Sequence, residues 1–249
     1  MARGYQKDFS LHSSNVHDLE GRRRKAKTVE LVLRDAIGDE LQDAALIDVG
    51  ASTGAIVAML SESVARAVGI DIDEHAIAFA RKEFAETPCI FRVGDAMNVD
   101  ADDGEYDLVL CQHVYEHVPD VKQLMTEISR VLKPGGWCYF SAGNRFAITE
   151  PHYQLPFLSW PPKPLANLYL RALKRGKFYY EEHLSWWGLK DLVKDFEVVD
   201  YTRRLIVESD NFQTDYMVPM GSLKQRVAKN IVDYAIWACP GYIWMLRKP

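Results

Sequence analysis

Short apolar segments alternate with amphipathic helical segments between Ala45 and Asn144, and this alternation restricts the folds that the chain can adopt. The predicted strands lie in ALIDVG, AVGIDID, IFRVGDA, YDLVLCQHV and WCYFSAGN, and the predicted helices lie in AIVAMLSESV, EHAIAFARKEF and VKQLMTEISRVL. Apolar strands joined by helices are typical of a parallel sheet, because each parallel connection needs a crossover and the helices then cover both faces. The pattern predicts a doubly wound α/β fold.

The sequence on either side of this region predicts four parts within a single domain. Residues 1–44 form an arm and a helix from about Arg22, with the basic run Arg22–Lys27 facing solvent, and residues 45–144 form the ligand-binding core. Residues 145–182 hold five of the eleven prolines and form an inserted cap. Residues 183–249 add helices in SWWGLKDLVKDF and SLKQRVAKNIVDYAIWAC and strands in EVVDYTRRLI and YIWMLRK, giving a mostly parallel seven-stranded sheet.

The net charge of the chain limits the partners that it can bind, and its cysteines indicate the cellular compartment. The 249 residues carry 30 Lys and Arg against 35 Asp and Glu, a formal net charge of −5, which gives no general attraction to nucleic acid or to an anionic membrane. The four cysteines form no CxxC pair and no signal peptide is evident, so we predict a cytoplasmic protein. No window of 18 uninterrupted apolar residues occurs, so we predict no membrane-spanning segment.

The loop after the first predicted strand, Asp48–Gly54, is the candidate ligand site, because doubly wound sheets bind ligands beyond the carboxyl ends of their strands. Gly50 and Gly54 permit a tight turn and a close backbone approach. A helix that starts near Gly54 directs free N–H groups at the loop. The loop matches neither GxGxxG nor the phosphate-binding GxxxxGK(S/T), so by itself it is equally typical of a plain strand-to-helix turn.

Two further strand ends carry carboxylates that favour a nucleoside ligand. Asp71 ends the second predicted strand, 21 residues after Gly50, where a carboxylate can accept both hydroxyls of a ribose. Asp95 and Ala96 end the third predicted strand, where a carboxylate and a small side chain suit an adenine ring. A single Asp at such a place is more often a turn or cap residue. Three such strand ends in one chain favour a nucleoside site.

The segments LIDVGASTG, VGIDID, VGDAMNV, YDLVLCQHVYEHVPD and EISRVLKPGG, in this order and spacing, resemble the motif series of class I S-adenosylmethionine-dependent methyltransferases. The resemblance covers residues 44–144 and implies S-adenosylmethionine as the cofactor. The predicted cofactor-binding residues are Asp48, Gly50, Ala51, Ser52, Gly54, Asp71, Ile72, Asp95, Ala96, Cys111 and Gln112.

The same resemblance implies a role for several of these residues. The glycine loop passes beneath the methionine part of the cofactor, and Asp48 lies near its ammonium group. Asp71 holds the ribose, and Asp95 with Ala96 meets the adenine. Ser52 departs from the family pattern, in which glycine is more frequent at this position.

Residues 111–120 discriminate between methyltransferase subgroups. Some RNA 2′-O-methyltransferases of the hemolysin-like group share DVGASTG, but that group resembles a lysine-dependent catalytic arrangement, and no lysine lies between Cys111 and Asp120. The (D/N)PP(Y/F) motif of N-methyltransferases is also missing.

The segment HVYEH formally matches the inverted zinc-protease motif HxxEH, but Pro119 argues against the long helix that this motif needs. Ubiquinone-type O-methyltransferases carry a similar ExxEH, which is linked to a divalent cation. His113 replaces the first Glu here, so we assign no metal ligands and leave a divalent metal as an open alternative.

Histidines are the candidates for removing a proton from an acceptor hydroxyl. Methyl transfer from a sulfonium is an in-line displacement, so the enzyme aligns the reactants and, for a poorly acidic hydroxyl, accepts a proton. His117 follows the fourth predicted strand and is the first candidate, and His113 is the second. His152 and His183 come next. A packing or capping role is the alternative for each.

The insertion and the arm near Tyr5 and Phe9 are predicted to define the acceptor. The segment EPHYQLPFLSWPPKPLANLYLR is similar to insertions in methyltransferases of bacterial surface-polysaccharide pathways. Its aromatic residues suit either a sugar-stacking cap or a small satellite core. We predict as acceptor a hydroxyl of a sugar, a lipid-linked saccharide or a partly apolar metabolite. The basic and apolar mixture around Leu168–Lys177 suits a peripheral membrane contact or a solvated helix face.

The sequence also bears on the oligomeric state, the partners and two competing functions. We predict a monomer or homodimer with a small-molecule partner and no nucleic acid. An NAD-dependent oxidoreductase would share the glycine loop and the ribose carboxylate, but GxGxxG and a positioned Tyr–Lys pair are not evident. A non-catalytic nucleoside-binding protein of the same fold is the second alternative.

Overall fold

A seven-stranded sheet lies at the centre of the protein in a computed structural model that describes residues 6–12 and 14–249. The strands are β1 Ala45–Val49, β2 Arg66–Asp71, β3 Cys89–Val93, β4 Tyr106–Gln112, β5 Leu132–Gly143, β6 Thr149–Glu150, β7 Leu155–Pro156, β8 Glu197–Asp200 and β9 Gly241–Arg247. The α-helices are α1 Phe9–His12, α2 Leu19–Ile37, α3 Ala55–Leu60, α4 Glu74–Glu83, α5 Val121–Val131, α6 Lys163–Ala172, α7 Trp186–Leu192, α8 Thr202–Val207 and α9 Leu223–Tyr234.

The order of the large sheet is β3-β2-β1-β4-β5-β9-β8. The first five strands pair in parallel, and β9 pairs antiparallel to both β5 and β8. The strands β1, β2 and β3 run outward to one edge of the sheet, and the chain then crosses back to place β4 on the other side of β1. The carboxyl ends of β1 and β4 therefore border the switch point at which such sheets bind ligands. The predicted doubly wound, mostly parallel, seven-stranded fold is confirmed.

Two apolar layers cover the faces of the sheet because neighbouring residues of each central strand point to opposite sides. Ile47 and Val109 belong to the layer beneath α5 and α7, and Leu46 and Leu108 belong to the layer beneath α2, α3 and α4. All four side chains are almost fully buried. The loops at the strand ends are therefore anchored to a packed core.

The segment EVVDYTRRLI differs from the prediction of one long strand. The strand β8 ends at Asp200, and α8 begins at Thr202. The Asp200 carboxylate accepts a hydrogen bond from the Thr202 backbone N–H at 2.8 Å, which ends the strand and starts the helix. The helix α3 is also shorter than predicted, since it ends at Leu60.

Residues 145–182 leave the sheet after β5 and return to it before α7. They contain the β6–β7 hairpin and α6, and Leu158, Leu170 and Tyr179 pack together as a small separate core. The backbone N–H of Arg145 donates to the carbonyl of Leu184 at 2.9 Å, so the two ends of this segment lie side by side. Within the described residues, no helix combines the length and the apolarity needed to cross a bilayer.

Candidate functional site

The loop between β1 and α3 is held in a left-handed turn against β2. Gly50 and Gly54 have φ values of 88° and 77°, and Ser52 has a φ of 52°. The N–H groups of Gly50 and Ala51 both donate to the carbonyl of Ile70, at 2.8 and 2.9 Å. A Cβ atom on Gly54 would lie 2.5 Å from the Phe91 ring. Glycine is therefore required there by core packing as well as by the turn.

Asp71 connects this loop to the end of β2. Its Oδ2 accepts the Ser52 N–H at 2.7 Å, and its Oδ1 accepts the Asp73 N–H at 2.9 Å. Burial raises the pKa of Asp71 although these backbone hydrogen bonds favour the charged carboxylate. Each oxygen keeps a second lone pair that can accept a hydroxyl. Ile72, the next residue, is half-buried.

The buried Asp48 and the half-buried Arg22 interact electrostatically beneath the same loop. Asp48 is 3% exposed, and its Oδ1 has no hydrogen-bond partner among the described residues. Burial raises the pKa of Asp48 to about 7, the charge of Asp71 adds to this shift, and the charge of Arg22 opposes it. The Arg22 Nε is also buried without a partner in the described part of the chain. Unsatisfied buried groups of both signs fit the ammonium and carboxylate of an amino acid.

Arg22 corrects the prediction that the whole run Arg22–Lys27 faces solvent. The side chain of Arg22 turns inward, and burial lowers its pKa while the charge of Asp48 opposes that shift. The other basic residues of the run are exposed. Helical spacing could have indicated this orientation, because Arg22 lies four residues before the buried Ala26 on the same side of α2.

The remaining predicted cofactor residues lie at the ends of β3 and β4. The Asp95 Oδ1 accepts the N–H of Met97 at 2.9 Å, which fixes the turn that holds the buried Ala96. Cys111 is fully buried in the core, where burial raises the pKa of its thiol well above the ordinary value. Gln112 is half-buried and pairs with Ser141 of β5.

Residues 113–120 form turns between β4 and α5, and these turns replace the helix that a zinc-protease motif needs. His113 has a φ of 55°, and its Nδ1 lies 3.1 Å from the Oε1 of Glu116. Glu116 is 1% exposed. Burial alone would raise its pKa, but the hydrogen bond from His113 and the charges of the surrounding histidines lower it to about 2.

Three candidate histidines meet where β4 and β5 end. The ring centroids of His117 and His152 are 4.9 Å apart, and those of His152 and His183 are 6.0 Å apart. A Cβ atom on Gly143, the last residue of β5, would lie 3.1 Å from the His183 ring. These histidines come from the β4–α5 turns, the insertion and the segment before α7, so their meeting depends on the tertiary fold. We call this group the histidine pocket.

Glu150 underlies the histidine pocket and was missed by the sequence analysis. Its carboxylate is fully buried, and its Oε1 lies 2.6 Å from the Nδ1 of His152 and 3.4 Å from the Nε2 of His183. Burial would raise the pKa of Glu150, but the hydrogen bonds from His152 and His183 outweigh it and lower the pKa to about 2. The sequence signal was the segment Glu150-Pro151-His152, which places a carboxylate two residues from an imidazole.

The N-terminal arm crosses both the cofactor loop and the histidine pocket. The Thr53 hydroxyl donates to the Val16 carbonyl at 2.6 Å, and the Ser10 N–H donates to Asp73 at 2.8 Å. The Oε1 of Gln6 lies 2.6 Å from the Nδ1 of His117. The Phe9 ring lies 5.1 Å from the His117 ring, while Tyr5 is outside the described residues. The arm therefore contacts both halves of the site.

A cavity of about 280 Å³ adjoins the histidine pocket. It is lined by His113, Gly143, Asn144 and His183 together with residues of the β6–β7 hairpin. The Asn144 side chain donates to the carbonyl groups of Trp237 and Cys239, each at 2.7 Å, which fixes the floor of the cavity. The cavity has room for a small ring beside the ends of the central strands.

Known proteins share both sequence and fold with this chain. Residues 47–140 match the methyltransferase domain family. The ubiquinone biosynthesis O-methyltransferase of Thiobacillus denitrificans is 35% identical over 146 residues, which are 56% of this chain and 58% of the relative. That of Methylococcus capsulatus is 33% identical over 57% of this chain and 60% of the relative. These alignments thus span less than two thirds of either relative. The Xanthomonas oryzae protein of the same name is 25% identical over 92% of this chain and 91% of its own.

Solved structures of other proteins share the fold of this chain. An S-adenosylmethionine-dependent methyltransferase from Mesorhizobium loti has a TM-score of 0.58 at 16% identity and covers 87% of this chain and 96% of its own. One from Thermotoga maritima has a TM-score of 0.57 at 16% identity, with 97% and 98% covered. These two likenesses establish the fold. The match of residues 47–140 to the methyltransferase domain family agrees with the resemblance to class I S-adenosylmethionine-dependent methyltransferases and with the S-adenosylmethionine cofactor that it implies.

Proposed function

We propose that the chain transfers the methyl group of S-adenosylmethionine to an oxygen atom of a small molecule held in the histidine pocket. The observation that carries this proposal is the meeting of His117, His152 and His183 at the carboxyl ends of β4 and β5, beside the cofactor loop. The relatives named as O-methyltransferases support oxygen as the acceptor atom. The cofactor, when bound, supplies an electrophilic methyl group.

The chain's own residues would hold the cofactor by charge and by shape. We assign the ribose hydroxyls to Asp71, because its Oδ2 is bonded to the loop at Ser52 and its Oδ1 to the backbone after β2, which holds the carboxylate beside the loop at the end of β2. We assign the ammonium group to Asp48 and the carboxylate of the methionine part to Arg22, since each of these buried groups has an unsatisfied atom. Asp95 and Ala96 border the adenine in this arrangement.

His117 is our candidate for the general base. The amide oxygen of Gln6 can only accept a hydrogen bond, so the Nδ1 of His117 carries the proton and its Nε2 carries the lone pair. That tautomer can accept the proton of an acceptor hydroxyl as the new O–C bond forms. His113 is the second candidate, and its side chain is 58% exposed and paired with Glu116.

The acceptor that we favour is a hydroxyl of a sugar, a lipid-linked saccharide or a partly apolar metabolite. The rings of Phe9, His117 and His152 border the pocket and suit an acceptor with one apolar face. The insertion forms the outer wall, and its exposed side is rich in apolar and basic residues. A shallow contact with a membrane that carries the acceptor is part of this proposal.

Two variants test the donor and the base separately. We expect Asp71→Asn to weaken S-adenosylhomocysteine binding at least tenfold in calorimetric titration, because two charge-assisted hydrogen bonds are lost. We expect His117→Gln to bind it like the wild type and to transfer methyl groups about 10²–10⁴-fold more slowly. Transfer is measured as S-adenosylhomocysteine formed with monosaccharides, sugar nucleotides and small phenols.

The opposite results would reject specific parts of this proposal. Full transfer activity in His117→Gln would remove this residue as the base. Binding of NAD in place of S-adenosylhomocysteine would point to an oxidoreductase, and methyl transfer restricted to amine acceptors would exclude oxygen as the acceptor atom.

A further inference from the structure

Glu150 presents one carboxylate oxygen to two imidazole rings. Its Oε2 accepts the backbone N–H groups of His152 and Tyr153, each at 2.8 Å, and these bonds fix the turn of the β6–β7 hairpin. Its Oε1 faces the Nδ1 of His152 at 2.6 Å and the Nε2 of His183 at 3.4 Å. The side chains of Glu150 and His183 are 0% and 2% exposed. The carboxylate is therefore oriented by backbone bonds, with one oxygen left for the rings.

Two imidazoles and one carboxylate form a donor set that suits a divalent metal of the zinc type. One donor atom from each of Glu150, His152 and His183 lies within 4.8 Å of the others. Zinc bonds of about 2.0–2.1 Å at tetrahedral angles place donors roughly 3.3 Å apart. The pair formed by His183 and Glu150 already has this spacing, whereas the Nδ1 of His152 lies 2.6 Å from the Oε1 of Glu150 and has to move outward for a metal to enter.

The surroundings leave a fourth position open. His183 lines the cavity of about 280 Å³ together with Gly143, Thr149 and Pro151. The other nitrogen of the His183 ring, Nδ1, is buried and has no hydrogen-bond partner among the described residues. Because the Nε2 atom faces the Glu150 carboxylate, Nε2 is the donor that His183 contributes to this set. Three protein ligands beside an open cavity are the arrangement of a metal site that also binds a small molecule.

We propose that Glu150, His152 and His183 bind one divalent cation of the zinc type, with its open position facing the acceptor cavity. No metal ligands were assigned from the sequence. The site rests on the proposed function only for its role, which is to hold the acceptor oxygen while His117 accepts the proton. The binding itself needs neither cofactor nor acceptor.

A second donor set shares one residue with this site. His117, His152 and Glu181 also place donor atoms within 4.8 Å of one another. A single ion can use His152 in only one of the two sets. The Nδ1 of His117 is held by Gln6, and the Oε1 of Glu181 is 3.5 Å from the Nε2 of Gln6. In that set only Glu181 is buried, whereas Glu150 and His183 are both buried and two backbone N–H groups orient Glu150, which favours the set that contains Glu150.

Metal titration of the chelator-treated, dialysed protein tests the proposal. We expect one Co²⁺ per chain with the visible absorption of a tetrahedral site, displacement of Co²⁺ by Zn²⁺, and a rise in Tm with Zn²⁺. Glu150→Gln and His183→Gln should weaken Zn²⁺ binding at least tenfold and abolish the rise in Tm. His75→Gln, which changes an exposed histidine of α4, is the matched control and should bind like the wild type.

Three outcomes would overturn the site. Equal Zn²⁺ affinity in wild type and His183→Gln would exclude His183 as a ligand. Loss of binding in His117→Gln but not in Glu150→Gln would assign the ion to the second set. No binding by a wild-type protein that still transfers methyl groups would reject the metal and leave the proposed function intact. Circular dichroism of each variant distinguishes a lost ligand from a lost fold.

Discussion

Asp48 is a carboxylate that the fold buries before any ligand is present to neutralise it. Its pKa is raised to about 7, chiefly by burial, whereas an aspartate in an unfolded chain titrates near 3.9. The native state therefore favours the protonated acid. As the pH rises from about 4 to 7, this group lowers the free energy of unfolding, and above pH 7 its effect is constant.

Asp48→Asn should remove this destabilisation because the amide is uncharged and has the same shape. We expect the variant to be more stable than the wild type by roughly 2–4 kcal/mol at pH 8 and to match it near pH 4. Urea unfolding at both pH values measures the difference. Asp43→Asn, at an exposed aspartate, is the control. An equal difference at pH 4 and pH 8 would show that the stabilisation does not come from the titration of Asp48.

Some residues of the candidate site could be predicted from the sequence, and others could not. Asp71 was predictable because its place at the end of a strand is visible in the apolar pattern. Arg22 was not, because a basic run on a helix is solvated in most proteins and its partner Asp48 is distant in sequence. Glu150 was missed because a charged residue in a proline-rich segment carries no sign of complete burial.

Among the elements, the strands of the central sheet were predictable and the segment after β8 was not. The strands β1, β2 and β4 are buried on both faces along most of their length, and helices separate the strands of this region except between β3 and β4. The apolar pattern of EVVDYTRRLI continues through Tyr201, so it concealed the break at Asp200. A side-chain hydrogen bond and the packing of α8 against α9 accompany that break. Neither interaction produces a periodic pattern of apolar residues that could be recognised in the sequence.

The helix α6 carries apolar side chains on both its inner and its outer faces. Ala166 and Leu170 are buried in the small core of the insertion, whereas Leu165 and Leu168 are 57% and 58% exposed. Residues 151–180 contain five Lys and Arg and no Asp or Glu, in a chain whose net charge is −5. An exposed apolar face beside positive charge favours an anionic lipid surface.

Charge reversal directly after α6, within the insertion, should weaken vesicle binding. We expect the double variant Lys174→Glu, Arg175→Glu to reduce binding to vesicles with anionic lipid at least tenfold, since each basic residue contributes about 1 kcal/mol near such a surface. Co-sedimentation at low and high salt measures this effect. The control is Lys190→Glu with Lys194→Glu, at exposed positions outside the insertion. Similar losses in both double variants, or equal binding to neutral vesicles, would argue against a specific contact.

At the scale of the whole molecule, the site joins parts that are far apart in the chain. The arm reaches Asp73, Thr53 and His117, which belong to the cofactor side and the acceptor side alike. Sequence reasoning predicted a doubly wound, mostly parallel sheet and named the four candidate histidines. It could not predict that three of them meet, because that depends on how the insertion folds back over β5.

Thr53→Val should loosen the arm while keeping the shape of the side chain. The variant loses the buried hydrogen bond to the Val16 carbonyl, a bond worth about 1 kcal/mol. We expect S-adenosylhomocysteine to dissociate roughly fivefold faster in stopped-flow displacement, with faster hydrogen exchange in residues 6–17. Thr126→Val, whose hydroxyl bonds within α5, is the control. Faster release with unchanged exchange in the arm would locate the effect in the loop itself.

The hydrogen bond between the Arg145 N–H and the Leu184 carbonyl gives the insertion a property that its sequence does not show. Because its two ends are neighbours, a segment of different length or origin can replace it without stretching β5 or displacing α7. Recombination between genes could then exchange the wall that we propose faces the acceptor and leave β1 to β4 unchanged. A single scaffold of this kind can give rise to enzymes for unrelated acceptors.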